Sequence, residues 1–187
     1  VEILDAGGVI VYPTDSGYAL GCHIGDKAAL DRICRIREMD RHHNFTLVCR
    51  DLGEISVYAK VDNSQYRILK ARTPGPYTFI LQATREVPRR VQHEKRKTIG
   101  IRVPDHPVAL AILEAFNQPL MSCSLILPGE NLQPSDPLEI RDRLEHVVDL
   151  VVDGGPGLAI PTSVVDLTDD YPQLIREGGG DIGWLGS

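Results

Sequence analysis

Three stretches of this chain combine hydroxyls or cations with the Pro and Gly punctuation that ends strands. They are Thr14, Asp15 and Ser16 within residues 13–21, Thr78 within residues 74–81, and Arg102 within residues 102–107. Loops at strand ends are where ligands are usually met. Hydroxyl and amide donors over residues 14–16 can hold a small polar ligand such as an amino acid, or they can satisfy a local Asx or Ser/Thr turn. Arg35 and Arg37 supply a second type of chemistry, because a guanidinium binds phosphate or carboxylate through paired donors. Two residues apart on a helix they point in different directions, so both reach one ligand only if the helix ends there. The loop expected over residues 39–43 makes such an ending plausible; solvated helix charges are the alternative.

Charge is distributed unevenly. The net charge of −6 argues against a generally basic nucleic-acid binder, yet residues 31–102 hold 16 Lys and Arg against 8 Asp and Glu. Such asymmetry can give an acidic protein a cationic face. The densest basic run is Arg89, Arg90, Lys95, Arg96 and Lys97. Counterion release would give it affinity for an RNA backbone, but no aromatic residue interleaves it for base stacking, and a solvated loop is the other reading. The four cysteines form no CxxC pair and the six histidines form no readable cluster, so no metal site is expected. There is no GxSxG and no Walker A loop, which leaves positioning and charge as the available chemistry.

The elements that must position these groups follow from periodicity. At 187 residues, 42% hydrophobic and 25% charged, the chain fits one domain over residues 1–187, with no apolar run near the length of a membrane span. Residues 1–6 read as the end of a helix whose beginning is missing, so a native N-terminus is expected to have been lost. The absence of a signal-like segment and the scattered cysteines favour a reducing cytoplasm. Strands are expected over residues 9–12, 45–49, 77–82, 98–103, 120–127, 147–152 and 163–167. Helices are expected over residues 26–38, 62–72 and 136–145 and from Pro107 onward. This alternation predicts an α/β fold around a twisted mixed sheet flanked by helices; it does not give strand order.

In order and spacing these segments resemble the YrdC-like superfamily, and within it the YciO branch, over nearly the whole chain. Residues 13–21 are similar to the pattern PTDTxYGLG, residues 74–81 match PGPxTxIL, and residues 102–107 match RVPxHP. Residues 162–167 resemble STxVDL, and residues 175–178 resemble IRxG. The resemblance implies a cationic cavity and the reaction of threonylcarbamoyl-AMP synthase, in which L-threonine, bicarbonate and ATP give threonylcarbamoyl-AMP and pyrophosphate for a tRNA modification. By the same resemblance Thr14 would meet threonine, Arg35 and Arg37 would meet phosphates, and Ser124 and Ser163 would lie near the nucleotide. Arg102 would add positive potential, and Mg²⁺ would arrive with ATP. The chain departs from the family where Ile126 replaces an Asn, Arg35 replaces a Lys, Cys49 replaces a His and the loop over residues 38–44 is long. Weakened or altered adenylation is therefore expected. The alternative is a double-stranded or structured RNA-binding protein, tRNA included, without synthase activity.

Overall fold

The computed structural model describes residues 1–40, 45–131 and 133–186 and shows helices packed on both faces of one mixed sheet. The strands are β1 Ile10–Thr14, β2 Gly17–His23, β3 Thr46–Val48, β4 Tyr77–Gln82, β5 Thr98–Arg102, β6 Leu120–Ser124, β7 Leu150–Val151, β8 Ser163–Asp166 and β9 Gln173–Arg176. Across the sheet their order is β7-β1-β2-β6-β3-β5-β4-β8-β9. The β1–β7, β3–β5 and β4–β8 pairs are parallel and the others antiparallel. The helices are α1 Glu2–Asp5, α2 Lys27–Arg37, α3 Leu52–Tyr58, α4 Asn63–Arg72, α5 Pro107–Phe116 and α6 Pro137–Leu144.

Local chemistry accounts for the helix ends. Asp26 accepts the Ala29 N–H at 2.9 Å and starts α2, which stops where Glu38 turns left-handed at φ 52°. Asp62 and Gln65 form a reciprocal capping box at the start of α4. Pro107 opens α5 at the position where a missing N–H costs nothing, and Asn117 closes it at φ 57°.

Alternation along the strands divides the sheet into two unlike faces. Val11, Leu20, Leu47, Phe79, Ile101 and Met121 are fully buried against α2, α3, α4 and α6, in the larger apolar cluster. On the other face α5 and α1 cover only the β1–β2–β6 end, where Leu113 and Phe116 meet Ile10, Tyr12 and Leu120. The rest of that face carries Thr, Ser, Gly and Arg and forms the floor of a cavity.

Several expectations change, among them the strand expected over 120–127, which ends at Ser124. Residues 17–21, for which no strand is expected, begin strand β2, and the turn expected over residues 14–16 is confined to Asp15 and Ser16. Gly17 and Gly21 obscured this strand. A Cβ at Gly21 would lie 2.8 Å from the Tyr12 ring, and one at Gly17 would meet the Gln133 side chain. The strand expected over 147–152 shortens to Leu150–Val151. Helix α3 and strand β9 had no counterpart in the sequence reading. Most of the loop expected over residues 39–43 lies outside the described residues.

Candidate functional site

The three punctuated segments meet at one end of the sheet. Arg102, at the end of β5 and only 5% exposed, donates to Ser16 Oγ at 2.9 Å and to a carboxylate oxygen of Asp15 in the β1–β2 turn. The other Asp15 oxygen accepts the Asp105 N–H at 2.9 Å, tying the turn to the loop that enters α5. The Gly75 N–H donates to the Val103 carbonyl at 3.0 Å, which brings in the β4 entry. Thr14 Oγ1 donates to the Gly17 carbonyl at 2.6 Å and accepts the Ser16 N–H at 3.1 Å, so its methyl-bearing side chain is fixed in the turn. Arg102 Nε is buried and makes no hydrogen bond among the described residues.

The cavity encloses about 550 Å³, within the range of small-molecule sites. Its floor presents Thr46, Thr78, Thr98, Ser122 and Ser124, placed by register: Thr46 lies opposite Ser122 on one side and Gly100 on the other. Gly100 leaves the middle of the floor open, since a Cβ there would come within 3.2 Å of Thr78 Cγ2. Thr46, Thr98 and Ser124 have no side-chain hydrogen-bond partner among the described residues, so their hydroxyls face the cavity unused. Tyr12 shares a 2.8 Å hydrogen bond with Ser122, and burial pushes its phenol up to about 12, which keeps it neutral.

The walls supply charge. Arg37, Arg102 and Arg176 line the cavity, and no Asp or Glu does so among the described residues. Arg37 Nε donates to the Ile126 carbonyl at 3.1 Å. Arg176 is held by Thr162, with Nε and Nη2 on its carbonyl at 3.1 and 2.9 Å. Cys123 also lines the cavity, but burial raises its thiol to about 11 despite the nearby Arg37 guanidinium. It is therefore protonated at neutral pH and a poor nucleophile. Four strand spacings of about 4.8 Å separate β6 from β8, so the floor runs roughly 19 Å.

Of the hydroxyls and cations singled out in the sequence, Thr14, Ser16, Arg37, Thr78, Arg102 and Ser124 line this cavity. Arg35 and Ser163 are not among the lining residues. Arg35 is exposed on the last turn of α2, pointing away from Arg37 as the helical spacing requires. Ser163 is fully buried, donates to the Gly180 carbonyl at 2.7 Å and accepts the Gly178 N–H at 2.9 Å. It clamps β8 to the segment after β9. Tyr12, Thr46, Thr98, Ser122 and Arg176 were missed. For the hydroxyl residues the signal is a polar or small residue alternating with apolar ones, as in Thr98-Ile99-Gly100-Ile101-Arg102; Arg176 lies in the 175–178 pattern.

The basic run lies outside the cavity lining, on the connection between β4 and β5. Arg89, Arg90, Lys95, Arg96 and Lys97 are all exposed. Arg90 donates to the Gly25 carbonyl at 2.9 Å, and Lys97 Nζ to the Glu94 carbonyl at 2.6 Å. Arg96 pairs with the buried Asp166 at 2.9 Å. Burial raises the Asp166 carboxyl, but the Thr168 hydroxyl and amide and the Arg96 guanidinium outweigh it and hold the carboxyl below its usual value. A depressed carboxyl contributes stability above its unfolded pKa of about 3.9, and that stability is lost as pH falls. Arg96→Met should therefore lower the urea midpoint at pH 7, and the difference from wild type should shrink as pH drops through the acid range. A difference independent of pH would show that the pair does not act this way.

Comparison with known proteins places the chain. The model of the Sua5_yciO_yrdC family, described as telomere recombination, matches residues 2–178. The chain belongs to the Sua5/YciO/YrdC family. Within it, YciO of Escherichia coli strain K12 is 61% identical over 182 residues, covering 97% of this chain and 88% of that protein. The crystal structure of E. coli YciO superposes with a TM-score of 0.93, covering 98% of this chain and 89% of that one. A threonylcarbamoyl-AMP synthase of Xanthomonas euvesicatoria is 33% identical over 185 residues and covers 95% of each. Sua5 of P. abyssi, solved in complex with L-threonine, has a TM-score of 0.86 at 26% identity, over 95% of this chain and 52% of that one. This chain thus has a single-domain α/β fold with a mixed twisted sheet, like that of YciO and in keeping with the expectation from its sequence. No helix among the described residues is long and apolar enough to cross a membrane.

Proposed function

We propose that the cavity binds ATP together with L-threonine and bicarbonate, and that the protein is a threonylcarbamoyl-AMP synthase-like nucleotide-binding protein with weakened or altered adenylation. The observation that carries this reading is the convergence of Arg37, Arg102 and Arg176 on a hydroxyl-bearing floor with no carboxylate in its described lining. A cavity of that composition attracts a polyanion and offers donors to its oxygens. The likeness to threonylcarbamoyl-AMP synthases and to threonine-bound Sua5 supports the choice of ligands.

In the proposed reaction N-carboxy-threonine, formed from threonine and bicarbonate, attacks the α-phosphorus of ATP through a carboxylate oxygen. The bond from that phosphorus to the bridging oxygen breaks, and pyrophosphate leaves. No covalent nucleophile is needed, because orientation and neutralisation of phosphate charge lower the barrier. Since the described lining provides hydroxyls and guanidiniums but no carboxylate, the protein's own donor set does not make a Mg²⁺ cage. The ion would enter as the complex of the triphosphate. Ile126 presents an apolar side chain at the wall and only its carbonyl to Arg37, which is the basis for expecting reduced turnover.

Incubation with L-threonine, bicarbonate, Mg²⁺ and ATP should release pyrophosphate and threonylcarbamoyl-AMP slowly, and ATP should bind. Absence of both products and of ATP binding would rule the reading out. Arg37→Gln should weaken ATP about ten- to hundredfold, the loss of a charge-assisted contact, with little change in melting temperature. Equal affinity in the two proteins would remove Arg37 from the site.

A second reading is favoured by one placement: the exposed Arg89, Arg90, Lys95, Arg96 and Lys97 flank Val91 and His93, which line the cavity. Double-stranded RNA or tRNA would then lie across the mouth. Its affinity should fall steeply with salt, and joint neutralisation of Lys95, Arg96 and Lys97 should flatten that dependence. Binding insensitive to salt would exclude it.

A further inference from the structure

We propose that His93 reads the base of the bound nucleotide, donating from Nε2–H to an acceptor on the heteroaromatic ring. Its role depends on the nucleotide-binding reading above. His93 lies in the connection between β4 and β5, two residues after a 3-10 turn over Arg89–Val91. Its backbone is pinned to the start of β5: its N–H donates to the Thr98 carbonyl at 2.8 Å, and its carbonyl accepts the Lys97 N–H at 2.9 Å. Its ring is fixed as well. Nδ1 accepts the N–H groups of Lys95 at 3.3 Å and Arg96 at 3.1 Å.

An imidazole nitrogen that accepts two N–H groups carries no hydrogen, so the neutral ring must hold its proton on Nε2. Nε2 has no partner among the described residues, and His93 lines the cavity. Val91, Ile80 and Val164 supply apolar lining, with Arg176 opposite Val164 on β9, and Thr98 adds one hydroxyl with no side-chain partner of its own. Apolar side chains with one fixed donor beside them suit a nucleobase, whose faces are apolar and whose edge carries ring-nitrogen or carbonyl acceptors. The same ring also links the cavity to the basic run. A ligand acceptor at Nε2 polarises the imidazole and strengthens Nδ1 as acceptor for the Lys95 and Arg96 amides.

The test compares two probes that share phosphates but differ in the base. Wild type, His93→Ala and His93→Gln are titrated with ATP and with inorganic triphosphate, both as Mg²⁺ complexes. His93→Ala should bind ATP about five- to tenfold more weakly, as expected for one lost hydrogen bond, and inorganic triphosphate as well as wild type does. His93→Gln, which keeps an N–H donor, should recover most of the ATP affinity. A His93→Ala protein that binds ATP like wild type, or loses both probes equally, overturns the assignment while leaving nucleotide binding intact. A wild-type protein that binds neither probe overturns the assignment and the nucleotide reading together. A wild type that binds both probes equally tightly overturns the assignment alone.

Discussion

Arg102→Met should lower the unfolding free energy by about 3–5 kcal/mol, because it strands the Asp15 carboxylate in a site that is only 12% exposed. The two side chains form one unit. Asp15 holds the Asp105 amide and Arg102 holds Ser16, while Arg102 neutralises Asp15 and keeps its own Nε without a hydrogen bond among the described residues. The Asp15→Asn/Arg102→Met double variant, lacking the stranded charge, should recover part of the loss in a urea titration. ATP affinity should not return with stability, since the cavity guanidinium is still absent. Losses in the single and double variants that simply add would show that the two groups do not act as a pair.

Gly178→Ala should be nearly as damaging at a residue with no chemistry of its own. A Cβ there would lie 2.2 Å from the Pro161 carbonyl oxygen and 2.5 Å from the Thr162 carbonyl, and backbone cannot rotate away as a side chain can. The expected cost is about 2–3 kcal/mol, with separation of the 178–180 segment from β8. Thr162 is the residue that holds Arg176, so the same change should misplace a cavity guanidinium and weaken ATP binding. Thermal denaturation with an ATP titration would check both effects. A stable variant with normal affinity would show that this close approach relaxes without reaching the site.

These two positions illustrate what the sequence made legible. Asp15, Arg102 and the turn residues around them sit in segments with strong punctuation, and Asp26, Asp62 and Pro107 announce their helices by capping chemistry that is local. Gly178 was legible as part of a family pattern but not as a contact, because its neighbour Pro161 is brought to it by the pairing of β8 with β9. Strand order escaped the sequence for the same reason: β6 inserts between β2 and β3 through contacts far apart in the chain. Arg176 belongs to the same 175–178 pattern, but nothing local marks it as a site residue, because β9 is exposed along its length and carries no buried alternation. Thr46, Thr98 and Ser122 were hidden by ordinariness, since a Thr or Ser at alternate strand positions gains meaning only when register aligns several strands.

The β2 strand shows a subtler limit. Gly17-Tyr18-Ala19-Leu20-Gly21 contains two glycines and no strand is expected there, although Tyr18, Leu20 and Cys22 are fully buried on the helix-covered face. Gly21 records crowding from the neighbouring Tyr12 ring, whereas Gly17, at φ +108°, records both the end of the β1–β2 turn and the closeness of the Gln133 side chain. Arg35 and Arg37 show the reverse. Helical spacing already said they point apart, and the end of α2 at Arg37 resolves which of them faces the cavity.

The central claim is that three guanidiniums above a hydroxyl floor form a nucleotide site. Isothermal titration of the whole protein with Mg²⁺-ATP, in the presence and absence of L-threonine, tests it most directly. The account predicts saturable binding at one site per chain, weakened by added salt and lost when Arg37 and Arg176 are both replaced by Gln. Absence of binding at millimolar ATP, or binding that both replacements leave unchanged, would contradict it.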